Sequence, residues 1–437
     1  LPWAMSSGTI LGASVPGARR EMTPGGVGSL LGKKLLVFLA AAVFTLASGS
    51  LVPARAAIPA PHPAARSAVL IDGSTGQVLW SKNPEEPLYP ASTTKILTAL
   101  IAIQKGNLND VITIPGNAVG VEGSSIGLQL GETFTLKNLL YCLLLVSAND
   151  AAVAIADHIG GSVPAFVHMM NDEARRLGAV HSHFANPNGL YNPDHYVTAG
   201  DLAIIARAAM TNPVFRQIVA TRYYTLPPRP NPRSQRYLVN HNRLLWTYPG
   251  CVGIKDGYIV KSNETFVAAA DRDGRELIAV VLDSPPGSVY SDETSLLNYG
   301  FAAFTRREIA RPEQAVSRVP VRFSGGGVDL VPVRPVYYDF PVAATPDVER
   351  RVEVQQPLTA PLRRGQQVGE LVLSWQGREI GRVPLVAAQE VNRMLYADWF
   401  FWLVVVLAAV AGAYVYVVRV LAGKRYRFRP RCRLPRR

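Results

Sequence analysis

Three short groups of polar residues stand out as able to do chemistry together. The first is Ser92-Thr93-Thr94-Lys95, at the head of the apolar helical run Ile96–Ile103. A serine hydroxyl is a weak nucleophile and needs a base within hydrogen-bonding reach. Three residues span about one helical turn, so Lys95 projects on the same side as Ser92. Burial would depress the lysine pKa and free a neutral amine to act as that base. Taken alone, Ser92 reads more readily as a helix cap, with Lys95 a solvated side chain. The second group, Ser147-Ala148-Asn149, interrupts the apolar run from Leu143 to Ala156, where unpaired polar groups are costly. They either cap a break in a helix or face a cleft. The third is Lys255-Asp256-Gly257, where Lys255 supplies positive charge and Gly257 lets another backbone approach closely. By itself, Asp-Gly reads first as an ordinary turn.

The elements that must position these groups follow from periodicity. Ala68–Ile71 and Gln77–Trp80 alternate as strands around a Gly-rich turn and predict a hairpin. Helical spacing predicts helices over Thr93–Gln104, Leu136–Ile159, Val163–Leu177, Ala199–Met210 and Thr294–Phe304. Strands over Thr265–Ala270 and Glu276–Leu282 flank Asp273-Gly274, a hairpin signal. Strands at both ends with helices between them predict one α/β sheet whose first and last strands meet. From about 312 to 391 the pattern changes to short alternating runs broken by Gly and Pro, which predicts a small all-β module.

The chain carries +13 at pH 7, which raises nucleic acid as a partner. The excess lies at the two ends. Residues 1–56 contribute Arg19, Arg20, Lys33, Lys34 and Arg55 against Glu21, and residues 419–437 hold nine Arg and Lys without an acid. The body between them is balanced, so the basicity reads as export and membrane topology signals and not as a nucleic-acid footprint. Lys33-Lys34, the apolar stretch Leu35–Ala47 and Ala54-Arg55-Ala56 have the layout of a secretory signal cleaved after Ala56. A Pro- and Ala-rich linker, 57–65, follows. Trp399–Val418 holds no charge, opens on aromatic residues and ends in basic ones, as a membrane-spanning helix does. The positive side stays in the cytoplasm, so the expected arrangement is a body outside the membrane and a cytoplasmic tail over 419–437. Cys142, Cys251 and Cys432 make no disulfide framework, no His/Cys spacing suits a metal, and no cofactor is expected.

The order Ser-x-x-Lys, Ser-x-Asn, Lys-x-Gly matches the penicillin-recognising serine enzymes. The surrounding text narrows the likeness. Ala91–Leu100, Glu122–Ser125, Leu144–Ala152, Asn186–Leu190, His195–Ala199, Asn242–Trp246 and Leu296–Phe301 resemble, in order, the serine D-Ala-D-Ala carboxypeptidases, the low-molecular-mass penicillin-binding proteins. The resemblance covers about 66–305, and the β-module with a C-terminal anchor extends it. It implies a penicillin-binding transpeptidase-like α/β fold, an antiparallel sheet flanked by helices with a helical subdomain, followed by an all-β domain and one transmembrane helix. It implies an acyl-enzyme on Ser92 with Lys95 as base, Ser147 relaying a proton to the departing D-Ala, and Asn149 bonding the substrate amide. Lys255 would sit beside Ser147, and the backbone N–H groups of Ser92 and Tyr258 would form the oxyanion hole. Substrates would be peptidoglycan stem peptides, and β-lactams would be inhibitors.

Two departures touch carboxylate recognition. Asp256 stands where the family has Thr or Ser, and no Arg occurs between Arg275 and Arg306. Asp256 would repel a substrate carboxylate unless paired or protonated, and Lys261 is the candidate substitute cation. These departures keep open a non-catalytic or weakly active wall-binding protein. A β-lactamase would need a Glu-x-x-x-Asn deacylation base between the second and third motifs, and none is present.

Overall fold

The computed structural model describes residues 58–227, 236–354, 357–395 and 398–425. The expected leader and most of the basic tail lie outside them. Strands β1 (Ser67–Asp72) and β2 (Val78–Lys82) form the predicted hairpin, followed by a 3-10 turn over Ala91–Thr94 and helix α1 (Lys95–Lys105). A short ladder of β3 (Val111–Thr113) and β4 (Thr133–Thr135) precedes α2 (Leu136–Leu145), α3 (Asn149–Gly160), α4 (Val163–Leu177), α5 (Ala199–Met210) and α6 (Pro213–Ala220). A second short ladder, β5 (Tyr223–Thr225) with β6 (Tyr237–Val239), leads into the one-turn α7 (Leu244–Thr247). Then come β7 (Cys251–Ile259), β8 (Asn263–Arg272), β9 (Arg275–Ser284) and α8 (Val289–Ala303).

The main sheet runs β2-β1-β9-β8-β7, antiparallel throughout. The first strand therefore does lie against the last, with Ala68 opposite Val281 and Leu70 opposite Ala279. Both faces are covered, so the middles of β8 (Phe266–Ala270) and β9 (Leu277–Leu282) are apolar without a break. Val69, Ile71, Val267, Ala269, Ile278 and Val280 join the core with α1, α2, α3 and α5. The alternate set, Leu70, Phe266, Ala268, Leu277 and Val281, packs with Leu296 and Leu297 of α8 on the other face. Cys142 is buried in α2, packed like any small apolar side chain.

Several expectations need correction. The helix predicted over Leu136–Ile159 is two helices, because the chain turns at Val146-Ser147-Ala148 with Ser147 at φ +61°. The helix predicted over Thr294–Phe304 starts earlier, at Val289, and Phe304 already belongs to a strand. Lys255-Asp256-Gly257 lies inside β7, so the reading as an ordinary turn is wrong. The end of the expected linker is docked. The backbone N–H groups of Ala64 and Ala65 donate to Asp292, at 2.8 and 3.0 Å.

The β-rich part begins before 312. Strand β10 (Phe304–Ala310) pairs with β13 (Val336–Pro341) as a separate ladder. The remaining sheet is β11 (Ser317–Pro320), β12 (Gly327–Pro332), β16 (Arg378–Ala387), β15 (Gln367–Trp375) and β14 (Glu349–Val354), in that order, around a core of its own. The β1–β2 turn meets β13 through Gln77, whose side chain both donates to Asp339 O and accepts from Asp339 N. Asp339 is fully buried and pairs with Arg275 at 2.6 Å. Finally, α9 (Trp399–Arg425) carries a fully exposed apolar surface. Among the described residues, its segment Trp399–Gly423 is the one helix long and apolar enough to cross a membrane.

Candidate active site

Ser92 and Lys95 meet as their spacing requires. Lys95 is fully buried, and its Nζ lies 2.8 Å from Ser92 Oγ and donates to Asn188 O at 2.6 Å. Burial, reinforced by the charge of Lys255, holds the Lys95 amine well below the ordinary lysine range, against opposing pulls from Asp256 and Asp150. A neutral amine can donate to Asn188 O and still accept the Ser92 proton.

The turn under Ser92 is held by a shell of hydroxyls. Thr93 Oγ1 and Thr265 Oγ1 both donate to Pro90 O, and Thr98 Oγ1 donates to Pro187 O. Thr94 Oγ1 lies 3.0 Å from His195 Nε2, and the other ring nitrogen of His195 accepts from the Ala185 N–H. The imidazole is therefore the Nε2–H tautomer. Burial brings its pKa down to about 3, so it is a neutral donor that fixes Thr94. Gly189, at φ +85°, lies so close to Ala91 that a Cβ would fall 1.8 Å from Ala91 O. The Asn186–Leu190 loop can pass under Ala91 and Ser92 only because Gly189 has no side chain.

The second group lies at the break between α2 and α3, next to Val146, which lines one groove with Asp256. Ser147 is buried, and its Oγ has no hydrogen-bond partner among the described residues. Asn149 donates from Nδ2 to Glu122 O at 2.8 Å, while its Oδ1 is left unpartnered. Asp150, beside it, accepts from Ser125 Oγ and from the N–H groups of Ile126 and Leu128, which ties the 122–128 loop to the start of α3.

Strand β7 closes the cleft. A Cβ on Gly257 would meet Ser92 N at 2.8 Å and Thr265 Oγ1 at 2.7 Å, so the strand backbone runs directly against Ser92. Tyr258, the next residue, is 60% exposed. Lys255 is buried, yet its Nζ turns to Asp256, reaching Oδ1 at 2.8 Å and the carbonyl at 2.8 Å. Burial would raise the Asp256 carboxyl, but Lys255 outweighs it and holds the group below the usual carboxylate range. Asp256 is thus ionised and paired.

Lys261 does not stand in for the missing arginine at this groove. It lines a separate cavity with Arg66, Tyr89 and Asp283. The cation on the groove that Asp256 lines is Arg243, with His241 beside it. Neither was legible as a site residue, nor were Asn188 and His195, although all four fall in or beside stretches that carry the family resemblance.

A family model described as D-alanyl-D-alanine carboxypeptidase matches residues 54–286, and one described as the C-terminal domain of penicillin-binding protein 5 matches residues 304–393. The chain is 33% identical to D-alanyl-D-alanine carboxypeptidase DacF of Bacillus subtilis, over 75% of this chain and 86% of that one. The crystal structure of penicillin-binding protein 5 from Haemophilus influenzae superposes with a TM-score of 0.67 at 29% identity, covering 77% of this chain and all of that one. A mutant of the Streptomyces K15 DD-transpeptidase gives a TM-score of 0.53 at 34% identity, over 55% of this chain and 99% of that one.

Proposed function

Because the chain belongs to the D-alanyl-D-alanine carboxypeptidase family of serine hydrolases, we propose that it removes the terminal D-Ala of peptidoglycan stem peptides through an ester on Ser92. The observation that carries this reading is the contact of a buried, pKa-depressed Lys95 with Ser92 Oγ at 2.8 Å. Neutral Lys95 takes the Ser92 proton as Oγ attacks the penultimate D-Ala carbonyl. The developing oxyanion sits between the N–H groups of Ser92 and Tyr258, which the absent Cβ of Gly257 allows to converge. Ser147, with its free hydroxyl, relays the proton to the departing D-Ala nitrogen. Asn149 Oδ1, also free, accepts from the substrate amide. Water then hydrolyses the ester. β-Lactams acylate Ser92 by the same steps.

The domain reading is a cleaved leader over 1–56, a short linker, a catalytic domain over 66–305, an all-β spacer over 312–391, and an anchor helix over 399–418. The apolar, fully exposed surface of α9 supports the anchor, and the basic residues that follow favour a body outside the membrane with the C-terminus in the cytoplasm. The Lys255–Asp256 pair favours a second reading, in which free D-Ala is released only weakly because the cation that would meet its carboxylate is already engaged. Mass spectrometry of pentapeptide incubated with the protein separates the two. Loss of one D-Ala, abolished by Ser92→Ala, is the expected result. Intact peptide after long incubation with folded protein would overturn the carboxypeptidase reading.

A further inference from the structure

Three segments of the β-rich part meet at the root of α9. The turn between β11 and β12 is tied to the 357–362 segment by the Arg322 N–H, which donates to Leu358 O at 2.8 Å, and by the Ala360 N–H, which donates to Arg322 O at 2.9 Å. It is tied to the chain leading into the helix by the Met394 N–H, which donates to Phe323 O at 2.9 Å. Leu362 and Val391 exchange both backbone bonds at 2.9 Å. Arg393 then pairs at 3.0 Å with Asp398, the residue before the helix. The β11–β12 turn is therefore held beside the point where α9 begins.

This face exposes side chains that a water-facing surface would hide. Phe323, Met394 and Leu395 are 47, 38 and 74% exposed, and the apolar surface continues into Trp399 and Phe400. Phe323 also sits at φ +61°, a costly conformation for a bulky aromatic residue. The turn is braced to hold it there. Ser324 Oγ lies 2.8 Å from Val321 O and 2.9 Å from Gly326 O, and Gly325 gives way to Met394, whose Cε would be 2.0 Å from a Cβ. Strain and bracing thus keep the Phe323 ring half exposed and outside the apolar core of the β-rich part. The surroundings are basic. Residues 321–327, 357–366 and 388–395 carry Arg322, Arg363, Arg364 and Arg393 against Glu390 alone. The Arg393 guanidinium lies over the Phe323 ring at 5.1 Å. Aromatic and aliphatic side chains rimmed by arginines match the layer where acyl chains meet anionic headgroups. A face for a protein partner could lie anywhere on the β-rich part. This one adjoins the helix that is apolar and long enough to enter a bilayer.

We propose that this face is a second membrane contact. Phe323, Met394 and Leu395 enter the interface of the bilayer that α9 crosses, and Arg322 and its neighbours bind anionic phospholipid headgroups there. The contact presupposes α9 as the anchor. A helix alone leaves the protein free to swivel on its tether, whereas a helix and a braced turn together fix the tilt of the β-rich part over the lipid.

The test uses the full chain in nanodiscs of phosphatidylcholine with roughly one third phosphatidylglycerol. A trace of phosphatidylcholine carries a photoactivated diazirine near the top of its acyl chain, and lipid adducts are mapped by peptide mass spectrometry. Adducts are expected on 321–326 and 393–395 as well as on α9, and none at Leu130, an exposed apolar residue of the catalytic part. Pure phosphatidylcholine, or Arg322→Glu in the mixed bilayer, should lower the turn adducts at least threefold. Adducts on α9 and labelling by fluorescent penicillin should stay within twofold, which shows that the variant is folded and inserted. Phe323→Ser, which removes the apolar wedge and leaves the charges, should lower the turn adducts to a similar extent. Adducts confined to α9 would overturn the proposal while leaving the anchor intact. If the turn were then still protected from hydrogen exchange, its occupant would be a protein or a second copy. Turn adducts indifferent to phosphatidylglycerol and to both substitutions would also overturn it. Absence of adducts on α9 would remove the anchor reading, and this contact with it.

Discussion

Replacing Asp256 with Thr should improve release of terminal D-Ala. In the structure, the buried Lys255 ammonium is held 2.8 Å from the Asp256 carboxylate. A substrate carboxylate arriving in this corner meets a cation already neutralised by a neighbour of its own sign. Two unit charges about 6 Å apart at an effective dielectric of about 20 interact by about 2.8 kcal/mol. Openness of the groove to water and salt halves that, to about 1.4 kcal/mol, or roughly tenfold. Asp256→Thr is therefore expected to raise kcat/KM for a pentapeptide about tenfold, chiefly through KM, with the gain shrinking as salt is added. A second signature comes from Lys95. The base must be neutral, so acylation rises with pH until the Lys95 pKa is passed. The Asp256 charge raises that pKa, so its removal lowers it. The acid limb of the penicillin-acylation profile should then move to lower pH. D-Ala release measured by coupled amino-acid oxidation, alongside stopped-flow acylation across pH, reads both effects. Unchanged or slower release by a folded Asp256→Thr protein, or an acid limb displaced upward, would refute the electrostatic reasoning.

Two further predictions concern the frame around the site. Gly189→Ala forces a Cβ to 1.8 Å from Ala91 O at φ +85°, and should cost about 3 kcal/mol or more while slowing penicillin acylation at least tenfold. Gly127→Ala, at φ +65° with nothing within 4 Å, should cost only about 1 kcal/mol, and similar melting temperatures for the two variants would sink the steric argument. Asp339 has its carboxyl pushed up to about 6 by burial and by the charge of Asp72, with Arg275 opposing. A raised folded-state pKa stabilises below the unfolded value near 3.8 and loses that contribution as pH climbs through 6. From pH 5 to pH 7.5 this amounts to about 1 kcal/mol, so the wild-type Tm should fall over that interval about 3 °C more than that of Asp339→Asn. Parallel melting curves for the two proteins would contradict it.

The parts of this molecule that could be read in advance are those governed by local period and short spacing. Ser92 and Lys95 share a side because one turn separates them, and the apolar runs of β1, β8 and β9 mark a sheet buried on both faces. The break at Ser147 was one of two readings of the polar interruption in the apolar stretch, and periodicity, which does not register a single residue at φ +61°, could not choose between them. That Lys255 itself is the partner of Asp256 was also not legible in the sequence. Adjacent strand residues point to opposite faces, and only the long, flexible lysine stem lets Nζ turn back to its neighbour. Asn188 contributes a backbone carbonyl, a group that every residue type carries, so nothing in its side chain pointed to that role. The groove is assembled from Tyr223, Tyr237, Arg243 and Trp246, placed by a ladder and a one-turn helix whose pairing only the folded chain displays.

The most direct test of the account is the intact mass of the protein after brief exposure to a penicillin. One covalent adduct, mapped to the peptide containing Ser92, absent from Ser92→Ala and slowed at least a hundredfold in Lys95→Ala, is the predicted result. An adduct on another residue, or full-rate acylation without the amine of Lys95, would contradict the claim that these two side chains are nucleophile and base.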